Sequence, residues 1–186
     1  MSEVEPGRIA STPIYKGRIV ELSLDKVRFP DGSTGELEMI RHRGAAAVLP
    51  VLSDPEGEDP IVVLVRQYRY ASGGYLYEVP AGLRASPDEA WDDCALRELE
   101  EETGLRAATL KRLTSIYTTP GFTDEQIHLY LATELSEGSH RRDADEFMDV
   151  VQMPLSEALQ KVRSGEIQDA KSICTLLYTA GFELGL

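Results

Sequence analysis

Arg97-Glu98-Leu99-Glu100-Glu101-Glu102-Thr103-Gly104 is the stretch from which the fold of this 186-residue chain can be read. It holds four carboxylates within five positions, an arrangement that an isolated helix resists, because like charges at i,i+4 repel by roughly 0.2–0.5 kcal/mol per pair. At about 100° per residue, with Glu98 as the origin, Glu102 falls at about +40° and Glu101 at about −60°, while Glu100 points away at about −160°. Trp91, Ala95 and Leu99 fall between about +20° and about +100°, so the acidic arc borders the stripe that faces the core. The spacing predicts a helix with acids at the rim of a cleft. Oxygens clustered in this way suit a hard divalent cation such as Mg²⁺ or Mn²⁺. On the helix alone, a solvated acidic face is the other reading.

Outward from this stretch, segments of two periods alternate. Upstream, Ser86-Pro87-Asp88-Glu89 offers an N-capping serine, a proline suited to the first helical position and two acids for the positive end of the dipole, so the helix is expected to open there. Gly104 closes it, as a residue that accepts the left-handed conformation. Pro80-Ala81-Gly82 turns the chain after a short strand over 75–79. Apolar, β-branched runs over 45–52 and 61–70 predict core strands, as do 110–118, 126–133 and 147–153 further on. Helices are expected over 154–162 and 168–181. Residues 16–43 alternate in places with period two around Pro30-Asp31-Gly32-Ser33 and read as a β-hairpin. The interleaving, without a low-complexity linker or an internal repeat, implies one mixed α/β domain with an N-terminal β-arm.

Composition narrows the partners. Hydrophobic residues make up 42% and charged residues 27% of the chain, the balance of a protein that folds by burial. Acids outnumber Lys and Arg by 32 to 19, for a formal charge of −13, and no basic run is present to neutralise successive phosphates. Nucleic-acid binding is therefore disfavoured. Cys94 and Cys174 form neither a CxxC pair nor a Cys/His cluster, so a reduced compartment is expected and a thiolate zinc site is not. No apolar stretch approaches a membrane span, and residues 1–7 lack a basic, apolar-cored signal. The expected location is the cytoplasm, with no membrane partner.

Gly82, Glu89, Arg97, Glu98, Leu99, Glu101, Glu102, Gly104 and Leu105 together resemble the Nudix box, G-x5-E-x7-R-E-U-x-E-E-x-G-U, in which U is aliphatic. One departure stands out: six residues separate Gly82 from Glu89 where the pattern has five, which bears on Glu89 more than on the helix acids. The runs Val65-Arg66-Gln67-Tyr68-Arg69-Tyr70, Gly73-Gly74-Tyr75-Leu76-Tyr77-Glu78-Val79-Pro80-Ala81-Gly82 and Pro120-Gly121-Phe122-Thr123-Asp124-Glu125 resemble the ADP-ribose pyrophosphatase branch of that superfamily. Pro120, about fifteen residues past the box glycine, is similar to the proline that marks the branch. The resemblance implies the Nudix fold, an α+β sandwich with a mixed β-sheet between helices. Residues 1–43 would form the β-arm and dimerisation region and 44–186 the hydrolase domain. The hairpin, followed by His42, Gly44 and an apolar strand, resembles an arm exchanged between subunits, so a homodimer is implied.

The chemistry implied by the resemblance is hydrolysis of the pyrophosphate bond of ADP-ribose or a related nucleoside diphosphate sugar, releasing a nucleoside monophosphate and a sugar phosphate. Mg²⁺ is the implied cofactor, with Mn²⁺ as a substitute. Electrostatics favours metals independently, because an acidic chain with an all-carboxylate site repels a pyrophosphate unless cations reverse the local sign. Glu98 and Glu102 are the first ligand candidates and count among the catalytic residues, followed by Glu101 and the backbone carbonyl of Ala81. Arg97, at about −100° on the helix, leaves the metal arc and is implied to reach a box glutamate or loop carbonyls. Glu146, in the acidic loop over 139–146, is the implied general base, with Asp143 or Asp145 behind it. Arg69 either meets the substrate phosphates or is a surface cation. Glu78 either pairs with an arginine across the dimer or touches substrate. Either Phe29, or Tyr15 just outside the aligned stretch, stacks the base, or the base is held less tightly and the substrate range widens toward other nucleoside diphosphate sugars. Glu125 is a further metal or substrate contact or an ordinary turn acid, and His128 and His140 read as isolated. Two other readings are a Nudix enzyme for another nucleotide and a non-catalytic ADP-ribose sensor. The retained acids weigh against the sensor, and the net charge weighs against capped RNA.

Overall fold

The computed structural model describes residues 5–139 and 147–185, which divide into two compact units, 5–44 with 117–126 and 45–116 with 127–185. The first unit is a sheet of β1 (Gly7–Lys16), β2 (Glu21–Arg28) and β3 (Thr34–Arg41), antiparallel throughout. The expected hairpin is β2 and β3, with Asp31 accepting from the backbone and hydroxyl of Ser33 at 2.9 and 2.6 Å in the turn. β1 is an additional strand that period-two reading misses. All of its residues are exposed, so no burial alternation marks it, and its pairing with β2 slips in register on either side of Ala10–Pro13. Pro13 is tolerated there because β1 is an edge strand.

Buried Asp25 anchors this sheet. It accepts from Ser11 at 2.5 Å and Ser23 at 2.9 Å and pairs with Arg41. The hydrogen bond from Ser11 is the main influence holding its carboxyl below the usual range. The 117–126 segment lies along β3, with Ile40 N donating to Phe122 O at 2.7 Å and Arg41 pairing with Asp124 at 3.1 Å.

The second unit is organised by β4 (Ala45–Pro50), buried at all six positions. Next in the chain come β5 (Ile61–Arg69), β6 (Gly74–Glu78) and β7 (Ala81–Leu83), then α1 (Trp91–Thr103), β8 (Leu105–Tyr117) and β9 (Gln126–Glu137). β10 (Met148–Pro154), α2 (Leu155–Ser164) and α3 (Ala170–Tyr178) follow. β4 pairs antiparallel with β7 and parallel with β9, and β8 continues that sheet beyond β9. β10, β5 and β6 form the other sheet.

A parallel pair needs cover on both faces, and the alternation along β4 supplies it. Ala46 and Val48 pack with Cys94, Ala95 and Leu99 of α1, whereas Ala45, Ala47 and Leu49 enter a larger core with Leu64, Leu155 and Leu176. The α/β sandwich with a mixed sheet between helices matches the sequence reading. Among the described residues no helix is long and apolar enough to cross a membrane.

Element ends differ from expectation in two places that matter. β8 starts at Leu105, directly after the helix-ending Gly104, because Leu105, Ala107 and Leu110 pack beside α1. More consequentially, α1 opens at Trp91, with Ala90 as its N-cap, rather than at Ser86.

Candidate active site

The late start of α1 follows from the job Glu89 does. In a continuous helix Glu89 and Arg97 would be separated by about 12 Å along the axis. Held in the preceding loop, Glu89 instead accepts from Arg97 Nε at 2.9 Å and from Ala85 N at 2.6 Å. Ser86 closes a turn there, its carbonyl accepting from Glu89 N at 3.2 Å. Arg84 stacks on the Trp91 ring at 4.0 Å and donates to Pro87 O at 3.0 Å. The one-residue excess over the box spacing is thus absorbed in a structured loop, and Glu89 serves Arg97. That ion pair is the main cause holding its carboxyl below the usual range.

Arg97 is the hub of the site. Nη1 donates to Glu98 Oε1 at 2.6 Å and Glu101 Oε2 at 2.9 Å, and Nη2 donates to Leu83 O at 2.8 Å. Of the two expected kinds of partner for Arg97, a box glutamate or loop carbonyls, it makes both. These contacts offset the repulsion that the acid cluster imposes on the helix, and the pairing with Glu89 does most to push the already high pKa of Arg97 further up.

Glu98 and Glu102 lie on the inner side of the helix, 9% and 4% exposed. Glu102 accepts from Ala81 N at 3.3 Å. Gly82 lies so close to Glu98 that a Cβ there would stand 2.2 Å from the carboxylate. The Pro80-Ala81-Gly82 turn and the inner acids of α1 are therefore in direct contact, with β7 held to β4 by the register Ala81 with Ala47 and Gly82 with Ala46. Glu101 is half-exposed on the outer side. Glu100 points away, as its helical angle predicts, and accepts from Arg106 at 2.7 Å and from Ser139 N at 3.0 Å. The Arg106 contact is the main reason its carboxyl is lowered to about 2. Beneath the site, burial pushes the Cys94 thiol up to about 12, which keeps it protonated. Among the described residues, no three His, Cys, Asp or Glu side chains are already gathered as a ligand cluster; Glu98 and Glu101 share Arg97 instead.

A second group of charges lies on β5, β6 and α3. Arg69 forms a two-pronged pair with Glu78, Nε to Oε1 and Nη2 to Oε2, both at 2.7 Å. Glu78 is 2% exposed. Its cationic partner is an arginine of its own chain, and Lys171 bonds it as well. Burial works against its ionisation, yet the two cations hold its carboxyl below the usual range. The Glu78 pair is likewise the main cause of the raised pKa of Arg69, to which Glu102 and Asp169 also contribute. These residues border a cleft of about 480 Å³ together with Ser72 and Leu76.

Sequence reasoning missed Lys171. A signal was present: a lysine in the first turn of a helix opposes the macrodipole and so calls for a specific anion. It also missed the contact of Gly82 with Glu98, which only the fold brings about.

Phe29 is in the first unit, its ring against Gly35, where a Cβ would come within 2.8 Å. Tyr15 is exposed on β1. Glu125 accepts from Thr118 at 2.8 Å and pairs with His42 at 3.2 Å, so its contacts are those of a turn acid. His128 is not isolated: it stacks on Trp91 at 4.1 Å, and burial, with help from Arg112, depresses its pKa. Glu146, Asp143, Asp145 and His140 lie outside the described residues.

The fold and the glycine turn closed on an acidic, arginine-braced helix define an α/β protein built around a loop–helix–loop. The NUDIX domain matches residues 41–176, and the chain belongs to the NUDIX family, which generally uses divalent metal ions. An ADP-ribose pyrophosphatase of Bacillus subtilis is 39% identical over 180 residues, 96% of this chain and 94% of that protein. A GDP-mannose pyrophosphatase of Cronobacter sakazakii is 37% identical over 157 residues, 75% of this chain and 78% of its own length. A crystal structure of an ADP compounds hydrolase superposes with a TM-score of 0.81 at 22% identity, covering 100% of this chain and 97% of the other, and shows the same fold.

Proposed function

We propose that this protein hydrolyses the pyrophosphate bond of ADP-ribose or a related nucleoside diphosphate sugar in a Mg²⁺-dependent reaction, Mn²⁺ serving as a substitute, with a nucleoside monophosphate and a sugar phosphate as products. The observation that carries this reading is the contact of the buried Glu98 and Glu102 with the Ala81-Gly82 turn, beside a charged cleft that Arg69 borders. The donors are all oxygen, as hard divalent cations require, and the absence of a Cβ at Gly82 leaves the Glu98 carboxylate its place. In this assignment Glu98 and Glu102 would hold the metal, with Glu101 and the Ala81 carbonyl completing the set. Bound there, the metal would supply polarisation of the phosphoryl oxygens and a lowered pKa for the attacking water.

The protein's own groups do the rest. Arg69 orients a phosphate through the guanidinium edge not committed to Glu78, while Glu78 keeps that guanidinium aimed and charged. Glu146 removes the proton from the attacking water, since a carboxylate committed to a cation is a poor base. Phe29 or Tyr15 stacks the nucleobase. We assign residues 1–43 to a dimerisation arm exchanged between subunits and 44–186 to the hydrolase domain, in a cytoplasmic homodimer.

The test is a panel of nucleoside diphosphate sugars assayed with and without Mg²⁺ in ¹⁸O-labelled water, which reports specificity and the attacked phosphorus together. Turnover that needs the metal and is lost in Glu98→Gln and Glu102→Gln is expected. Folded variants that both keep wild-type turnover would overturn the site assignment.

A further inference from the structure

A carboxylate buried under two cations is more than neutralisation requires. Glu78 already has a two-pronged partner in Arg69, yet Lys171 Nζ bonds the same Oε2 that receives Arg69 Nη2. The lysine occupies an unfavourable place: its side chain is 11% exposed, so most of its hydration is lost, and it stands in the first turn of α3, where positive charge opposes the helix dipole. Its second counter-ion, Asp169, is 3.1 Å away and is itself engaged as the N-cap, accepting from Ser172 N at 2.9 Å.

The same turn of α3 also grips the strand below the site, because Val79 N donates to Ser172 Oγ at 2.8 Å. Consecutive residues of one helix therefore fix a side chain and the next backbone amide just before the Pro80-Ala81-Gly82 turn. With both Glu78 oxygens held by Arg69 and one also by Lys171, the plane of the carboxylate has a single orientation, and the guanidinium that shares it inherits that orientation. Among the described residues Arg69 Nη1 makes no hydrogen bond.

We propose that Lys171 is a positioning residue for substrate binding: through Glu78 it fixes the Arg69 guanidinium in the pose that receives a phosphate. This rests on the assignment of Arg69 to the substrate phosphates given above. Lys171 touches no reacting atom in this scheme, so its loss affects binding more than the chemical step.

The experiment is steady-state kinetics on the full chain with ADP-ribose and Mg²⁺, comparing wild type, Lys171→Met, Lys171→Arg, Glu78→Gln and the double variant Lys171→Met/Glu78→Gln. Lys171→Met is expected to raise KM by about tenfold while kcat changes by less than about threefold. Lys171→Arg should recover most of the loss, and in the Glu78→Gln background Lys171→Met should change KM by less than about twofold, because the two act as one unit. Lys171→Gln gives the same comparison if circular dichroism shows the methionine variant unfolded. An unchanged KM in the lysine variant, or a full KM rise that persists without Glu78, overturns the positioning role alone. A wild-type chain that hydrolyses no nucleoside diphosphate sugar overturns the function and this role together.

Discussion

At position 82 any side chain collides with the site. A Cβ there would sit 2.2 Å from the Glu98 carboxylate, and what yields is the end of a flexible side chain rather than backbone. Gly82→Ala is therefore expected to leave the melting temperature within a few degrees of wild type and to cut kcat by about tenfold or more, since the displaced group is a proposed metal ligand. Glu98→Gln and Glu102→Gln, which remove the ligand charge itself, should each lower kcat by about a hundredfold or more at saturating Mg²⁺. Rates measured beside thermal melts check both expectations. Two placements were legible from helical angles alone: Glu100 points outward to Arg106 and Ser139, and Arg97 leaves the inner arc to reach Glu101 and Leu83. Glu89 was not, because its pairing across the turn with Arg97 depends on where the helix begins.

α1 holds the acids in place through the apolar stripe that adjoins them. Cys94, Ala95 and Leu99 are fully buried against β4, whose alanines allow the close approach. Leu99→Ala is expected to destabilise the fold by about 2–5 kcal/mol through the cavity it leaves. Gly104→Ala should cost about 1–2 kcal/mol, because Gly104 has φ 71° and donates to Glu100 O at 2.9 Å as the helix cap. Urea unfolding of each variant measures these costs. Amphipathic period, cap glycine and β-branched runs made α1, β4, β5 and β9 readable in advance. The start of α1 and all of β1 were hidden for a shared reason. Ser86-Pro87-Asp88-Glu89 has good capping chemistry, but a tertiary ion pair outcompetes it, and β1 is held by its pairing with β2 rather than by a buried face.

On the scale of the whole molecule, the depressed carboxyls set the acid limit of stability. Glu78, Glu89 and Glu100 all titrate below their ordinary range in the folded state, Glu100 at about 2. Each binds protons more readily when unfolded, so its contribution is fully present above the unfolded value of about 4.3 and is lost as pH falls through the folded value. The melting temperature is expected to hold down to about pH 5 and then decline toward about pH 2, and Glu78→Gln should flatten part of that decline. Sedimentation of the intact chain at twice the monomer mass is expected if the arms are exchanged as proposed. The bracing by Arg97 has one more outcome. Since Arg97 already ties Glu89, Glu98 and Glu101 together, folding is not expected to need a resident ion, so treatment with EDTA should extinguish turnover while the far-UV spectrum stays native. Dialysis back into magnesium should then restore activity within minutes, without a refolding lag.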